Sequence, residues 1–135
     1  GGITPDIYLP FKNSINSETR KVLRSPKRPF FNFASRFSSD HQSKFNSFVD
    51  FKNNWKVTPA ILDSFFIHLT QDSINFAQDS LLKDSAYIEN QLKSELAGAI
   101  WGKNESTNIR LQYDNQVLEA LKHFNEADAF IKSID

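Results

Sequence analysis

The sequence predicts a mainly α-helical domain of about four to five helices, preceded by a short N-terminal β-strand. Beyond residue 30, apolar residues recur at helical intervals over most of the chain. Thr58-Pro59 combines a capping side chain with a proline suited to the first helical position. The β-prone run Ile7-Tyr8-Leu9 has no second strand to pair with, so we expect it to complete a sheet elsewhere.

Length and composition bound the class of protein. The chain has 135 residues, of which 39% are hydrophobic and 24% charged, and its mean hydropathy of -0.47 is typical of one soluble globular domain. Thirteen phenylalanines supply bulky core material. No run approaches the length of a membrane span, so we predict none. The chain has no cysteine, which excludes disulfides and thiolate chemistry.

Charge is distributed unevenly along the chain. Residues 1–56 hold ten Lys and Arg against four Asp and Glu, a net +6, whereas residues 57–135 hold six against twelve, a net -6. The two halves should attract each other. We favour internal neutralisation by folding, and the alternative is that the basic half docks on an acidic protein surface.

The predicted elements follow in order. We divide the chain into a terminal strand (1–12), a basic proline-containing linker (13–29) and a helical domain (30–135). The linker can hold a short helix from Asn16 or Ser17 to Leu23. Spacing of the phenylalanines predicts a helix over about 31–48, with a cap or break near Ser38.

The second half of the chain predicts three further helices. One begins at Thr58-Pro59 and runs to about Asp72, and a longer one runs from Asp79-Ser80 to Trp101-Gly102. In the longer helix, the small residues 97–99 would let another helix approach closely. A polar connection over 104–107 and a candidate extended segment at 109–111 then lead to a last helix capped by Asp114.

The residues offer little catalytic chemistry. His41, His68 and His123 lie too far apart in sequence for a helical metal site. We interpret the carboxylates of the long helix (Asp84, Glu89 and Glu95) as solvated charge. Ser17 and Lys21 have the i, i+4 spacing of a contact, but an exposed lysine stays protonated and leaves the serine inert.

The basic stretch 20–28 is followed by Phe30, Phe31 and Phe33, a combination found in nucleic-acid interfaces. The structural interpretation is that the phenylalanines are core and that the cations form a solvated loop or docking strip. We favour the structural interpretation and predict no nucleic-acid partner.

Several segments match motifs of a known family. The chain opens with Gly1-Gly2-Ile3-Thr4-Pro5-Asp6-Ile7-Tyr8-Leu9-Pro10. This segment resembles the Gly-Gly-Ile-x-Pro-Asp-hydrophobic-x-hydrophobic-Pro sequence that follows the catalytic region of carboxyl-terminal processing, or tail-specific, serine peptidases. Four later segments resemble, in the same order, parts of the helical tail that some of these peptidases carry. They are Phe31-Asn32-Phe33-Ala34, the segment from Asp50 to Val57, the segment from Leu92 to Gly102, and the segment from Asp114 to Leu121. Gly98 departs from the pattern, which has a basic residue there.

This resemblance implies a non-catalytic role. The chain would be the helical C-terminal region of a tail-specific serine endopeptidase, and its lack of methionine leads us to expect a fragment of a longer protein. Residues 1–12 would then be the last strand of the upstream protease domain. The residues expected to dock on the protease core are Ile3, Pro5, Asp6, Ile7, Leu9 and Pro10.

The resemblance also implies what the parent protein does. It would hydrolyse peptide bonds in extracytoplasmic proteins of the bacterial periplasm or cell envelope, through a Ser/Lys dyad upstream of residue 1 and without metal or cofactor. This chain would be inactive alone, and would brace the protease core, shape the access of protein or peptide substrates, or help subunits assemble. The alternative is a free-standing helical protein-binding module with an exposed aromatic groove among Trp55, Phe65, Phe66 and Trp101.

Overall fold

Helices account for nearly all of the chain that the computed structural model describes, which is residues 15–134, with side chains described up to residue 123. The helices are α1 (Ser17–Leu23), α2 (Pro29–His41), α3 (Phe48–Asn54), α4 (Pro59–Gln71), α5 (Gln78–Lys83), α6 (Ser85–Ile100) and α7 (Lys103–Ile134), with a 3-10 turn at Gln42–Lys44. No strand occurs in this range, and the mainly α-helical class is confirmed. The predicted strand and its docking residues lie outside the described residues.

Two predicted helices form with nearly their predicted bounds. The Asn16 side chain caps α1 by accepting a hydrogen bond from the Thr19 amide at 3.0 Å. Thr58 caps α4 in the same way, with its hydroxyl accepting from the Ile61 amide at 3.2 Å and Pro59 at the first helical position. Local capping chemistry therefore decides where both helices begin.

The predicted helix over 31–48 is wrong in its second half. Ser38 does not interrupt α2, because its hydroxyl donates to the Ser35 carbonyl at 2.9 Å within the helix. The chain leaves the helix after His41, and α3 starts only when the Ser47 hydroxyl accepts from the Asp50 amide at 3.1 Å. The cap that starts α3 is Ser47, nine residues beyond Ser38, where we placed the break.

The long helix predicted from Asp79 is two helices, α5 and α6, which meet at Asp84. The Asp84 carboxylate accepts hydrogen bonds from α1, and its backbone lies at φ -106° and ψ 26°, outside the helical range. A contact between distant segments thus sets this break, and the local sequence gives no sign of it. The predicted end is confirmed, since α6 closes at Trp101 and Gly102 takes the positive φ of 119° that favours glycine.

The final helix starts twelve residues earlier than predicted, at Lys103 instead of directly after an Asp114 cap. The segments predicted as a polar connection, an extended run and a cap at Asp114 all belong to α7. Ile109 faces the core and is almost fully buried. Ser106 lies against α6, where the Ser94 hydroxyl donates to its carbonyl at 3.0 Å. Polar residues in the first turns of α7 are therefore used as helix-packing contacts.

Two groups of buried side chains form the core. The first joins α1, α2, α4, α5 and the first half of α6, and its members are Val22, Phe30, Val57, Leu62, Phe65, Phe66, Leu69, Leu81, Ile88 and Leu92. The second joins α2, α3, the end of α6 and α7, with Ala34, Phe51, Leu96, Ala97 and Ile109. Trp55 packs against both groups. Helices α2 and α6 run through both and hold the body together.

The segment predicted as a linker packs into this body. Thr19 is fully buried, and Val22 is 1% exposed in the first core group. Helix α1 is therefore part of the hydrophobic core from its second turn onward.

Candidate functional site

The residues predicted to dock on a protease core all fall within 1–14, outside the described residues. The described chain starts beside them with a hydrogen-bonded cluster that we call the clasp: Asn16, Thr19, Ser80 and Asp84. Oδ2 of Asp84 accepts from the Asn16 amide at 2.9 Å and from the Thr19 hydroxyl at 2.6 Å. The Asn16 side-chain amide donates to the Ser80 carbonyl at 2.6 Å. The clasp fixes the point at which the chain enters the helical body.

Each histidine has its own surroundings. His68 is buried, with Nε2 3.2 Å from Oδ2 of Asp72, yet neither ring nitrogen makes an aligned hydrogen bond. Burial lowers the pKa of His68, with a smaller lowering by Arg36 and an opposing effect of Asp72. His41 stacks on Phe37 with ring centroids 4.0 Å apart. The structure does not bring these histidines together.

The other sequence-predicted candidates also stay separate. Lys21 is exposed, and its ammonium lies 3.0 Å from Oε2 of Glu18. Burial raises the pKa of Glu89, whereas Asp84 serves the clasp. Among the described residues, no three His, Asp or Glu side chains come together in a group suited to a metal ion.

The exposed aromatic groove of the alternative hypothesis does not form as predicted. Phe65 is fully buried and Phe66 is 4% exposed, so both are core residues of α4. Ile61 and Leu62, at the start of the same helix, lie on the same face. The apolar stripe of α4 is therefore the face that packs into the core.

A different concavity lies where α2, the 3-10 turn and α3 meet, and we call it the aromatic cleft. Its volume is about 320 Å³. Its lining residues are Phe37, His41, Lys44, Phe45, Asp50, Phe51, Asn54 and Trp55. Phe37, Phe45 and Trp55 are half-buried, so each presents part of its ring to the opening.

The rings of the cleft stand at steep angles to one another. Phe45 and Trp55 are nearly perpendicular, at 85° with centroids 5.9 Å apart, and Phe37 meets Trp55 at 60° and 6.2 Å. Phe51 lies behind them, stacked on Trp55 at 5.0 Å and buried. The rings of the cleft therefore pack edge-to-face and in stacks on one another.

Polar groups line the rim of the cleft. The Asn54 side-chain amide donates to Oδ1 of Asp50 at 2.7 Å, which orients the carboxylate. Lys44 provides a positive charge at the rim, and the Nδ1 of His41 lies 2.9 Å from the Phe37 carbonyl. On the far side of Phe51, the Lys93 ammonium donates to the Lys52 carbonyl at 2.8 Å.

Sequence reasoning recognised the individual aromatic residues but missed the cleft. The signal was present in the spacing of Phe51 and Trp55, which puts both on one face of a helix. The position of Phe45 was not accessible in this way, because a 3-10 turn that the sequence did not predict places it against Trp55.

The basic stretch folds into the turn between α1 and α2. Arg28 adopts a left-handed backbone at φ 49°, and its guanidinium lies 4.2 Å from the Phe31 ring centroid. The Lys27 ammonium donates to the Asp72 carbonyl at 2.6 Å. Phe30 is core as predicted, whereas Phe31 is 42% exposed. Phe30 and Phe33 therefore pack into the core as predicted, whereas Phe31 lies at the surface against Arg28.

Comparison with known proteins gives one match. Residues 20–102 match a family described as a family of unknown function, DUF8443. The matched range is more than half of the chain and runs from α1 to the end of α6. No curated protein and no solved structure matches the chain. Within residues 15–134, none of the helices has the length and apolar composition needed to cross a bilayer.

Proposed function

The chain belongs to the DUF8443 family of unknown function, and we propose that it acts as a non-catalytic helical domain of a tail-specific serine endopeptidase. The proposal rests on the resemblance of residues 1–10 to the segment that follows the catalytic region in those peptidases. In this role the domain braces the protease core or shapes access to its cleft. The Ser/Lys dyad that cleaves the extracytoplasmic protein substrate belongs to the upstream domain of the same polypeptide.

The positions of the family-like segments in the fold support the proposal. On α2, Phe33 packs against the first core group and Ala34 belongs to the second. Phe51 and Trp55 line the aromatic cleft, and Leu96 holds α6 in the second core group. These residues lie in the segments that resemble the helical tail. A shared framework of this kind is expected if the segments specify one helical body.

The proposed bracing role is supported by one structural observation, the clasp. A bracing domain must hold a fixed orientation to its partner, and a mobile junction would lose that orientation. Asp84 ties Asn16 and Thr19 to the α5–α6 corner, so whatever precedes residue 15 leaves from a fixed point of the body. A fixed exit point of this kind is needed if one domain is to hold another in a set orientation.

The test is reconstitution from two pieces. The upstream protease domain is produced separately, mixed with this chain, and assayed for complex formation and for cleavage of an unstructured peptide. We expect association and a gain in cleavage when the wild-type chain is added. A protease domain that cleaves equally well with and without the chain, and does not bind it, contradicts the proposal.

Matched variants locate the contact. Replacing Ile7 and Leu9 together by Asp should abolish association, because charged side chains prevent burial of a strand in the protease sheet. Replacing the exposed residues Ile67 and Leu111 by Asp alters hydrophobicity equally but leaves the opening intact, so association should persist. If the chain alone captures a partner while ignoring the protease domain, the helical binding module is the correct function.

A further inference from the structure

We propose that the second half of α7, residues 117–134, docks on the domain that precedes residue 15 in the same polypeptide. This docking surface rests on the proposed function, in which that domain is the upstream protease. It adds an interaction surface to that function, because the contact assigned so far is confined to the terminal strand (1–12).

Helix α7 extends well past the helix on which it packs. α6 has 16 residues and α7 has 32, so at a rise of about 1.5 Å per residue they are about 24 Å and 48 Å long. The Ser94 and Ser106 hydroxyls lie 2.9 Å apart. The ring centroids of Tyr87 and Tyr113 lie 6.4 Å apart, so the two helices run antiparallel. This register brings the first residue of α6 level with about residue 115 of α7, and beyond that point α7 has passed the end of α6.

The face of α7 that packs on α6 continues into the second half. Ile109 and Tyr113 mark that face, because Ile109 is buried in the second core group and Tyr113 contacts Tyr87 of α6. Helical spacing places five large apolar residues on the same face further along: Val117, Leu121, Phe124, Ile131 and Ile134. One acidic residue, Asp128, shares the face, so a covering surface needs a cation or a hydrogen-bond donor opposite it.

The described side chains leave this face open. Ile109 is 1% exposed, whereas Val117 and Leu121 further along the helix both keep part of their surface accessible. Ala120, between them, is exposed. An amphipathic helix in a protein derives most of its stability from packing its apolar face. Among residues 15–123, nothing buries Val117 or Leu121 in the way that the second core group buries Ile109, so this face has room for a partner.

The clasp places the preceding domain at this end of the body. Asp84 lies directly before α6, and its carboxylate accepts from the Asn16 amide at 2.9 Å. The chain therefore enters at the end of α6 that α7 passes, so the open face and the entry point are neighbours. A domain tethered there meets the face at a high effective concentration, whereas a free partner must compete with it for the same space.

Two matched leucine variants test the docking surface, with association to the separately produced protease domain measured by isothermal titration calorimetry. Leu121→Asp puts a charge on the open face, and Leu111→Asp puts the same charge on the first half of α7, at a residue that is 55% exposed. We expect Leu121→Asp to weaken association about ten-fold or more, as for an anchor residue of an interface, and Leu111→Asp to leave it unchanged. Ile131→Asp, about three turns further along, should act like Leu121→Asp.

Amide hydrogen exchange provides a readout that needs no substitution. In the complex with the protease domain, the amides of residues 117–134 should exchange more slowly than in the free chain, whereas those of α4 should not change. The same measurement on the free Leu121→Asp chain shows whether α1 to α6 keep their wild-type protection, so that weaker association is not mistaken for unfolding.

The outcomes separate this docking surface from the proposed function. Suppose that replacing Ile7 and Leu9 by Asp abolishes association, while Leu121→Asp and Ile131→Asp bind as the wild type does and residues 117–134 gain no protection. The docking surface is then wrong and the protease assignment stands. If the wild-type chain does not bind the protease domain, both are wrong. If the chain alone forms dimers that Leu121→Asp dissociates, the occupant is a second copy and the docking surface is again wrong.

Discussion

At the scale of single residues, the interior depends on an uncharged histidine and on a glycine. His68 is buried against the edge of Phe33, with ring centroids 5.8 Å apart, and its ring nitrogens have no aligned hydrogen bond. Gly98 lies where α6 crosses α7, and a Cβ there would stand 3.2 Å from the Cβ of Ser106. Both positions restrict which side chain, or which charge state, the fold accepts.

Acid should destabilise the protein through His68. Burial lowers the pKa of His68 in the folded state, so the unfolded chain takes up the proton first as pH falls. Stability is therefore fully present above the unfolded pKa of about 6.5 and is lost progressively as pH falls below it towards the folded value. We expect the free energy of unfolding in urea to be lower at pH 5.5 than at pH 7.5.

The control for this prediction is His68→Leu, which keeps the buried volume and removes the titration. Its stability at pH 7.5 should be close to that of the wild type, because it removes two unpartnered nitrogens along with the ring. Comparing the two proteins also cancels the contribution of other groups that titrate in acid. One of these is Glu89, because its pKa is raised by burial. An identical loss of stability in both proteins would show that His68 is not responsible.

Gly98→Val should destabilise the protein by about 1–3 kcal/mol, as expected for overpacking at a close helix crossing. The added side chain pushes α7 away at Ser106 and disturbs the Ser94–Ser106 hydrogen bonds, of 3.0 and 2.9 Å. Ala99→Val is the matched control, since Ala99 is exposed on the same turn of α6. Equal destabilisation by both substitutions, measured in urea, would mean that helix propensity and not packing controls this site.

At the scale of elements, distant contacts decide where several helices start and stop. Asp84 separates α5 from α6 and at the same time holds α1 through the Thr19 hydroxyl at 2.6 Å. Thr19 is fully buried, so its hydroxyl has no access to water if Asp84 is removed. The clasp therefore links the stability of α1 to a residue 65 positions away.

Asp84→Ala should destabilise the protein by about 1–3 kcal/mol, because it removes the acceptor of the Asn16 backbone amide and leaves the Thr19 hydroxyl only the longer contact to Oδ1 of Asn16, at 3.3 Å. In this variant, amide hydrogen exchange should accelerate more in α1 than in α6, relative to the wild type. Thr19→Val removes the hydroxyl without changing the shape and should cost less. In the double variant, the loss of stability should be clearly smaller than the sum of the two single losses. A loss equal to that sum would show that the hydrogen bond between Thr19 and Asp84 contributes nothing.

The sequence predicts those elements whose boundaries are encoded locally. Capping by Thr58 and termination at Gly102 depend on residues within one turn, and both were predicted. The start of α1 at Asn16 or Ser17 was also predicted, although Asn16 was not identified as its cap. The break at Asp84 depends on Thr19, and the aromatic cleft depends on a turn that places Phe45 against Trp55. Periodicity contains no information about such pairings, which is why the candidate site was found only in the structure.

At the scale of the whole molecule, the two core groups are joined by elements that belong to both. Helix α2 contributes Phe30 to the first group and Ala34 to the second, and α6 contributes Leu92 and Leu96 in the same way. Contacts between basic and acidic side chains join Lys21 to Glu18, His68 to Asp72 and His123 to Glu119, and each of them lies within one of the oppositely charged halves. Apolar packing, more than salt bridging, therefore connects the described body.

This continuity predicts that the body unfolds as one cooperative unit. Leu69→Ala removes a fully buried side chain from the first core group and should cost about 2–5 kcal/mol. In a Trp55→Phe background, tryptophan fluorescence reports the second group, since Trp101 packs with Phe48 and Phe51 at 5.6 and 5.2 Å. We expect the fluorescence midpoint and the circular dichroism midpoint in urea to fall together. Ile67→Ala, two positions earlier on the exposed side of α4, should leave both midpoints nearly unchanged. If Leu69→Ala lowers the circular dichroism midpoint while fluorescence keeps its wild-type transition, the two core groups are separate folding units and the shared helices do not couple them.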